Sequence, residues 1–344
     1  MDDLKEPAQI VAIGASAGGM NALSEFFSTM PGDSGLAFVV IQHLDPNHES
    51  HMASLLARVT PMKAVQAEDH ARIEANCVYT IPPGKFLAVD DGVLCLSEPI
   101  KSDGIRLPID FFLRSLAHDQ HEKAIAVLLS GSGSDGTLGI REVSAAGGIV
   151  IAQDPTSAQF DSMIVSAIAT GRVDSVLPVR EMAGALLEYV RRLPTVFGET
   201  ESEATREYLG SIVDLMARRT QNDFRHYKNA TLQRRMARRM GLRSITRVAD
   251  YYRLLEENPE ELEKLSKDML ISVTSFFRDA DAFTELGDRV INPLVHENPA
   301  DRPLRLWCAG CATGEEVYSL AILIMEAMAL GQKKFPVQIF ASDI

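Results

Sequence analysis

A serine within a turn of small residues is the first feature of this sequence that suggests chemistry. The segment Gly14-Ala15-Ser16-Ala17-Gly18 follows a run of branched apolar residues and precedes an apolar-patterned segment, which is typical of strand, tight turn and helix. The spacing fits G-x-S-x-G, in which a nucleophilic serine is exposed on a sharp turn. A glycine-rich turn also fits a phosphate-binding loop, and the serine also fits a simple helix cap. The turn alone leaves these three interpretations open.

A histidine and an aspartate follow two other predicted strands. His43 follows the buried strand 36–42, and Asp135 follows the strand 124–129 after a run of glycines and serines. Because ligands bind at the carboxyl ends of strands in an open parallel sheet, we expect Ser16, His43 and Asp135 at one edge. His43 would then take the proton of Ser16 and Asp135 would orient His43, which is the chemistry of acyl transfer. The alternatives are a solvated loop histidine and an aspartate that caps a turn or helix.

The elements that must position these side chains alternate between strand and helix from residue 9 to about residue 193. This alternation predicts parallel βαβ units, so we expect an α/β fold with a doubly wound, mostly parallel sheet in a domain of residues 1–193. Three short segments, 77–81, 86–89 and 93–96, are predicted to form a small antiparallel set with a hairpin turn at Asp90-Asp91-Gly92.

Composition limits the class of protein. A chain of 344 residues predicts two or three domains, and 46% apolar with 24% charged residues is ordinary for a globular protein. The sequence shows neither an apolar run of the roughly 20 residues that a membrane helix needs nor a signal peptide, and four cysteines are too few for a disulfide framework. We therefore expect a cytoplasmic protein without membrane insertion. The net charge of −13 argues against a nucleic-acid partner.

The pattern changes after the first domain. Residues 194–204 combine a proline, a glycine and clustered acids and are predicted to be a linker, and residues 205–287 are predicted to be a small all-α domain. One of its helices carries an apolar stripe and a basic remainder. The candidate partner-docking residues on it are Arg234, Arg235, Arg238 and Arg239. A solvated face, docking on an acidic protein helix and nucleic-acid binding are the three interpretations, and the overall charge disfavours the last.

The remaining segment, 288–344, has the order strand, small-residue loop, helix, strand and acid. Such a unit binds a nucleotide moiety through the loop backbone and the acid, here Asp343. Cys308 and Cys311 have the spacing of half a zinc site, but no second ligand pair is nearby in the sequence. We therefore expect these cysteines to be packing residues and expect no metal site.

Five motifs in the first domain resemble the catalytic domain of the chemotaxis protein-glutamate methylesterases, the CheB family. They are Ile13-Gly-Ala-Ser16-Ala-Gly-Gly19, Ile41-Gln-His43-Leu-Asp-Pro46, Tyr79-Thr-Ile-Pro-Pro-Gly84, Leu107-Pro-Ile-Asp110 and Leu129-Ser-Gly-Ser-Gly-Ser-Asp135-Gly136. The resemblance implies a triad of Ser16, His43 and Asp135, with oxyanion donors at the backbone N–H groups of Ala17 and Ser132. It also implies hydrolysis of γ-methyl esters on receptor glutamates, often deamidation of glutamines in the same helices, and no cofactor for this reaction.

Two departures from the family pattern bear on substrate and control. The family commonly has Met-Pro where this chain has Met163-Ile164, beside the substrate loop. Family members usually carry an N-terminal phosphoacceptor domain that inhibits the esterase, whereas about eight residues precede the first strand here. The expectation is that this control is absent or supplied elsewhere.

The second half resembles the start of the CheR family of S-adenosylmethionine-dependent chemotaxis receptor methyltransferases. The matching motifs are Ser272-Val-Thr274-Ser-Phe-Phe-Arg278, Gly310-Cys-Ala-Thr-Gly-Glu-Glu316 and Ala341-Ser-Asp343. This resemblance implies cofactor contacts from Ser272, Thr274, Arg278, Glu316 and Asp343, and a receptor-docking face on the basic helix. It also implies that a Rossmann-like sheet continues past Ile344, so this half is expected to be incomplete and not to methylate.

The sequence therefore predicts a methylesterase fused to a partial methyltransferase, acting on the cytoplasmic helices of methyl-accepting chemoreceptors. Two other functions stay open at this point. One is a non-catalytic receptor-docking module, and the other is a nucleotide-dependent enzyme that uses the loop 14–19 to bind phosphate.

Overall fold

The computed structural model describes residues 9–43, 50–98, 106–196, 203–220, 222–270, 276–299 and 302–343. The chain divides into two compact units, residues 1–270 and 271–344. The sequence expectation instead began the last domain at residue 288. The difference arises because the helices between residues 280 and 297 pack with the elements that follow them and share a core with those elements.

The strands alternate with helices through the first 196 residues. The strands are β1 (Ile10–Ala15), β2 (Ala37–Gln42), β3 (Lys63–Gln66), β4 (Cys77–Thr80), β5 (Phe86–Asp90), β6 (Val93–Ser97), β7 (Ile125–Leu128), β8 (Ile149–Gln153), β9 (Ser175–Leu177), β10 (Leu304–Ala309) and β11 (Val337–Ser342). The first helices are α1 (Gly19–Thr29), α2 (Met52–Leu56), α3 (Pro108–Gln120), α4 (Thr137–Ala146), α5 (Ser162–Ala169) and α6 (Val179–Val196). The later helices are α7 (Glu203–Arg219), α8 (Asn229–Leu242), α9 (Val248–Glu257), α10 (Pro259–Met269), α11 (Ala280–Leu286), α12 (Asn292–Glu297) and α13 (Glu315–Leu330).

Seven of these strands form one parallel sheet in the order β3-β4-β2-β1-β7-β8-β9. Alternate residues of β1 belong to two different apolar cores, Ile10 and Ala12 to one and Val11 and Ile13 to the other. Helices α3 and α4 cover the first core, and α1 and α6 cover the second. The predicted α/β class with a doubly wound parallel sheet is confirmed.

One strand lies in a different sheet from the one predicted. The segment 77–81 was expected in the antiparallel set, but β4 pairs in parallel with β2 and β3. Only β5 and β6 pair as the antiparallel hairpin. Every residue of β4 is buried, and a short buried run has the same apolar pattern in either kind of sheet.

The direction in which the chain adds strands reverses at β1. Strand β2 pairs with one side of β1, and β7 pairs with the other. The chain therefore runs from β1 to α1 and from β7 to α4, two helices that cover different cores of the sheet. In doubly wound sheets the crevice at such a switch point is where ligands bind.

Helices α7 to α10 pack around an apolar core of their own and contact the α/β domain through α8 and α6. The ring of Tyr189 on α6 lies so close to Gly241 on α8 that a Cβ at Gly241 would be 3.2 Å from it. The predicted linker, 194–204, overlaps the end of α6 and the start of α7, and residues 197–202 lie outside the described residues.

The second unit holds the parallel pair β10 and β11 with helices α11 to α13. Its small core includes Ile291, Val295 and Ile324. No helix in the described part of the chain is both long and apolar enough to cross a membrane.

Candidate active site

Ser16 lies in the turn between β1 and α1. Its N–H donates to the carbonyl of Ser130 (3.0 Å), and its own carbonyl accepts the N–H of Gly19 (2.9 Å), which closes a tight turn. Gly18 has a φ of 69°, in the left-handed region that favours glycine. The turn fixes the Ser16 backbone and leaves the residue half-buried at the carboxyl edge of the sheet.

His43 and Asp135 form a hydrogen-bonded pair. The Nε2 atom of His43 lies 2.8 Å from Oδ2 of Asp135. The His43 side chain is 36% exposed, whereas that of Asp135 is 4% exposed. When His43 is neutral and donates from Nε2 to the carboxylate, its Nδ1 is left as a proton acceptor. The pair therefore has a buried carboxylate end and an open imidazole end.

Backbone N–H groups hold the Asp135 carboxylate in one orientation. Oδ2 accepts the N–H of Ile109 at 2.9 Å, and Oδ1 accepts the N–H groups of Asp110 and Gly136, both at 2.9 Å. The first two donors belong to the first turn of α3, where N–H groups have no partner within the helix. Because Asp135 is fixed by α3, its remaining hydrogen bond fixes the direction of the His43 ring.

Ser16 and His43 directly follow two neighbouring strands. Ala15 pairs with Gln42 in the parallel register of β1 and β2, so Ser16 and His43 are the next residues along each chain. Neighbouring strands lie about 4.8 Å apart. The structure contains no hydrogen bond between Ser16 Oγ and His43, and such catalytic contacts often tighten only when substrate binds. All three predicted triad residues thus converge on one edge, with the His43–Asp135 contact formed.

Gln42 is a contact residue that sequence reasoning missed. Its Nε2 donates to the carbonyl of Ser16 at 3.3 Å, and its buried Oε1 has no partner among the described residues. The available signal was a polar side chain at the end of the otherwise apolar strand β2.

The loop after β7 packs against Ser16. A Cβ added at Gly131 would lie 3.1 Å from the Cβ of Ser16 and 2.5 Å from the methyl group of Met163. Gly131 also donates to the carbonyl of Phe160 (3.0 Å) and accepts the N–H of Met163 (3.1 Å). Glycine is therefore required here so that the Met163 side chain and the Ser16 turn can approach each other.

A second buried carboxyl group lies beside Asp135. Asp110 accepts the N–H of Gly139 at 2.6 Å through Oδ1 and is almost fully buried. Burial raises the pKa of Asp110, and the nearby charge of Asp135 adds to that rise. Sequence reasoning noted Asp110 only as part of a motif and gave it no role.

The two expected oxyanion donors lie in the two loops that border this crevice. Ala17 follows Ser16 in its turn, and Ser132 follows Gly131. Among the described residues, neither backbone N–H donates to an acceptor. The oxyanion role of these two groups stays a prediction.

Family models cover most of the chain. The model of CheB methylesterase matches residues 11–186. The models described as CheR methyltransferase, all-alpha domain, and CheR methyltransferase, SAM binding domain, match residues 208–270 and 272–344. The first match spans half of the chain and contains all three triad residues. The chain belongs to the CheB methylesterase family.

Similar proteins carry names of the same kind. A putative protein-glutamate methylesterase/protein-glutamine glutaminase from Leptospira interrogans is 30% identical over 51% of this chain and 91% of its own length. A protein of Rhodobacter capsulatus, named as an uncharacterized 104.1 kDa protein in the hypE 3'region, is 40% identical over 85% of this chain and 33% of its own length. The chain thus spans a third of that relative and about half of two Anaeromyxobacter dehalogenans methylesterases, of which it covers 54% and 55%.

One solved structure is also similar to this CheB-family chain. It is the Thermotoga maritima CheB methylesterase catalytic domain, which is 32% identical with a TM-score of 0.49. The match covers 52% of this chain and 97% of that domain.

The arginines predicted to dock a partner have different positions in the structure. Arg234 is exposed, with its guanidinium 4.0 Å from the Glu122 carboxylate. Arg235 donates to the carbonyls of Ser144 (3.4 Å) and Ala145 (2.7 Å) at the end of α4. Arg235 is therefore engaged by the CheB-type domain of the same chain.

Arg238 and Arg239 correct the docking prediction, because both are buried. Arg238 forms a two-bond contact with Asp174 (2.7 Å each), a bond to Asp268 (2.6 Å) and one to the carbonyl of Gly148 (2.9 Å). Its side chain is 3% exposed. Arg239 pairs with the fully buried Glu261 through two bonds of 2.8 and 2.6 Å. These two charges are neutralised within the chain and offer no surface to a partner.

The predicted cofactor residues are partly described. Ser272 and Thr274 lie outside the described residues. Arg278 is exposed and follows Phe277, whose N–H donates to Ser319 Oγ of α13 at 2.9 Å. Glu316 is the second residue of α13, at the end of the glycine loop that contains Gly310.

The glycine loop itself fits a nucleotide-bearing group. Asp343 accepts the N–H of Ala312 at 2.5 Å, so the acid after β11 reaches the loop after β10, and its contact with a cofactor stays a prediction. Gly310 has a φ of 75°, and a Cβ there would meet nothing within 4 Å, so space is open beside the backbone. Cys308 and Cys311 are buried free thiols, and the described residues contain no cluster of three metal-ligating side chains.

Proposed function

We propose that this chain hydrolyses γ-methyl esters of glutamate side chains on chemoreceptors. The observation that carries the proposal is the His43–Asp135 pair at the strand end next in register to Ser16. The printed names of relatives, protein-glutamate methylesterase/protein-glutamine glutaminase, supply the substrate class. The same site would release ammonia instead of methanol from a glutamine side chain, because both reactions begin with attack on a carboxyl derivative.

Ser16 acts as the nucleophile in this mechanism. Its Oγ attacks the ester carbonyl while the free nitrogen of His43 takes the hydroxyl proton. Asp135 keeps the ring oriented and stabilises the imidazolium that forms. Negative charge then develops on the former carbonyl oxygen, and the N–H groups of Ala17 and Ser132 would stabilise that charge.

Collapse of the tetrahedral intermediate completes the first half-reaction. The bond between the carbonyl carbon and the methoxy oxygen breaks, and His43 gives its proton to the leaving methanol. Water then enters, loses a proton to His43 and attacks the acyl group on Ser16. Release of the glutamate carboxylate returns the proton to the serine oxygen.

The test is methanol release from a methyl-labelled chemoreceptor by the full chain and by Ser16→Ala. Loss of a triad nucleophile typically costs about 10⁴–10⁶-fold in turnover, so the variant should fall to background. Ser28→Ala is a matched control, because Ser28 is exposed on the outer part of α1 and its hydroxyl bonds only the carbonyl of Glu25. Equal methanol release by the wild type and Ser16→Ala would disprove the assignment.

We further propose that the second unit contacts S-adenosylmethionine through Arg278, Glu316 and Asp343, with Ser272 and Thr274 as additional predicted contacts. When bound, this cofactor supplies a methyl group, while the glycine loop would approach it through the backbone and the carboxylates would accept bonds from ribose hydroxyls. Glu316 and Asp343 are exposed, so water competes for their hydrogen bonds. Calorimetry should therefore give a dissociation constant weaker than about 1 μM, which is −8 kcal/mol, and Asp343→Ala should weaken it further.

A further inference from the structure

A cleft opens beside His43, along the loop that follows β4 and the residues that precede α3. Its walls are mostly apolar and its charged residues are cations. They include Ile81, Pro82, Lys85, Phe86 and Arg106. No carboxylate from the described residues lines this cleft, although the chain as a whole has a net charge of −13. The local charge is therefore opposite to that of the protein.

Arg106 lies close in the chain to the helix that holds Asp135. Arg106 lies two residues before Pro108, the first residue of α3, and the next two N–H groups of that helix bind the Asp135 carboxylate. Arg106 is therefore three residues before the first N–H group that holds Asp135, and it is exposed. A substrate whose ester reaches Ser16 would bring its neighbouring residues close to this guanidinium.

The two cations of the cleft differ in their partners. Lys85 is paired with the Glu98 carboxylate. Arg106 has no carboxylate within ion-pairing distance among the described residues. A guanidinium offers several N–H donors in a planar arrangement that matches a carboxylate. Arg106 is thus the cation of this cleft that is available to an acidic group.

The apolar wall complements this charge. Phe86 stacks on Phe111 with ring centroids 4.8 Å apart and an angle of 21°, and Phe111 is 40% exposed. Such a wall suits the methylene groups of a glutamate side chain and the methyl group of its ester. The cleft therefore combines an apolar surface with one uncompensated positive charge beside the catalytic histidine.

We propose that Arg106 is a specificity-determining residue that binds a carboxylate next to the scissile ester, so that the preferred substrate is a methylated glutamate flanked by unmethylated acidic residues. This inference rests on the proposed esterase function. It assigns Arg106 a role in binding and none in the chemical step. Its loss should therefore raise KM for acidic peptides and leave kcat unchanged.

Three substrates test the proposal with the full chain. One is a peptide glutamate γ-methyl ester with flanking glutamates, the second is the same peptide with flanking glutamines, and the third is p-nitrophenyl acetate. Arg106→Gln should raise KM for the first peptide by about fivefold, the upper end for an exposed charge pair. The KM values for the other two substrates should stay the same. Arg106→Lys should restore part of the effect, and salt near 1 M should reduce it because the Debye length falls to about 3 Å.

Arg58→Gln is the matched control, because it removes the same charge from an exposed site just after α2, away from the cleft. Its KM values for both peptides should equal those of the wild type. If Arg106→Gln handles the two peptides with unchanged KM values, the role of Arg106 is disproved while the esterase assignment stands. If Ser16→Ala hydrolyses p-nitrophenyl acetate and the acidic peptide as fast as the wild type, the esterase assignment itself fails.

Discussion

Two aspartates of the first unit have buried side chains and different partners. Asp135 accepts backbone N–H groups of α3 and a bond from His43, and Asp174 accepts the N–H of Val150 (2.9 Å) and two bonds from Arg238. The His43 side chain is 36% exposed, whereas that of Arg238 is 3% exposed. The first pair leaves the His43 imidazole partly open to solvent, and both side chains of the second pair are buried.

The comparison separates a pair whose geometry suits proton transfer from one that holds the helical domain to the α/β domain. A guanidinium stays charged at every physiological pH, so the Arg238–Asp174 pair has no proton to exchange. An imidazole has one nitrogen that donates and one that accepts a proton, so the His43–Asp135 pair can pass a proton on. Burial of the carboxylate is common to both, and the exposure and chemistry of its partner decide the role.

The largest effect should come from a change in the His43–Asp135 pair, called here the open pair because His43 is partly exposed. Asp135→Asn presents an amide N–H₂ group where three backbone N–H groups and His43 now donate, so the ring loses its orientation. We expect methanol release to fall by about 10⁴-fold, as is typical when the orienting carboxylate of a triad is lost. A fall of less than tenfold in kcat would show that Asp135 is only structural.

The next largest effect should be a loss of stability when the Arg238–Asp174 pair, the closed pair, is broken. Arg238→Met leaves Asp174 and Asp268 as buried charges without their partner, which typically costs about 3–5 kcal/mol. Denaturant unfolding of the full chain should show this loss, and the all-α helices should unfold before the parallel sheet. Arg234→Met is the matched control on the same helix, and its exposed contact with Glu122 should be worth about 0–1 kcal/mol. Equal losses in the two variants would contradict the assigned difference in burial.

The space beside the open pair gives a third prediction. Gly131→Ala would place a methyl group 2.5 Å from Met163 and 3.1 Å from the Ser16 Cβ, so the Ser16 turn must shift. A displacement of about 1 Å near reacting groups can cost about 10²-fold in rate, so kcat should fall by roughly 10- to 100-fold. Gly184→Ala on α6 is the control, since a Cβ there meets nothing within 4 Å. Recovery of kcat in the double variant Gly131→Ala/Met163→Ala would identify the Met163 contact as the cause.

The smallest effect concerns the carboxyl group beside Asp135. Because burial raises the folded-state pKa of Asp110 above its unfolded value, the wild type gains stability from proton uptake as the pH falls through the raised pKa. Asp110→Asn has no such proton. Relative to Asp110→Asn, the wild type should therefore become more stable as the pH is lowered from 7 towards 4, measured by urea unfolding at each pH. A pH-independent difference would show that the Asp110 pKa is not raised in the folded protein.

The triad edge was predictable because it depends on local patterns. A buried run that ends at Ser16 or His43 indicates a strand end, and parallel strands bring their carboxyl ends together. Asp135 lies seven residues beyond the end of β7, so its place at this edge depended on the loop after that strand as well as on the strand end, and the resemblance to a known family agreed with it. Gln42 was missed because its contact with the Ser16 carbonyl depends on the register of two strands, which the sequence does not state.

The burial of the arginines on α8 was not predictable from that helix. Its pattern indicates an apolar stripe and a basic remainder, and such a remainder is usually solvated. The residues that bury Arg238 are Asp174, which is 64 residues away, and Asp268, which is 30 residues away. The prediction for β4 was wrong for a similar reason. The strands that pair with it, β2 and β3, are determined by the tertiary fold.

The contact between Arg238 and the carbonyl of Gly148 shows where a further domain can be attached to the sheet. Gly148 and Asp174 immediately precede β8 and β9, so the helical domain is fastened to the amino ends of the strands. Ser16 and His43 follow the carboxyl ends, and a strand of five residues spans about 17 Å. The contact of the helical domain therefore lies at the end of the sheet opposite Ser16 and His43, and a contact there does not block the carboxyl ends, where the proposed substrate would bind.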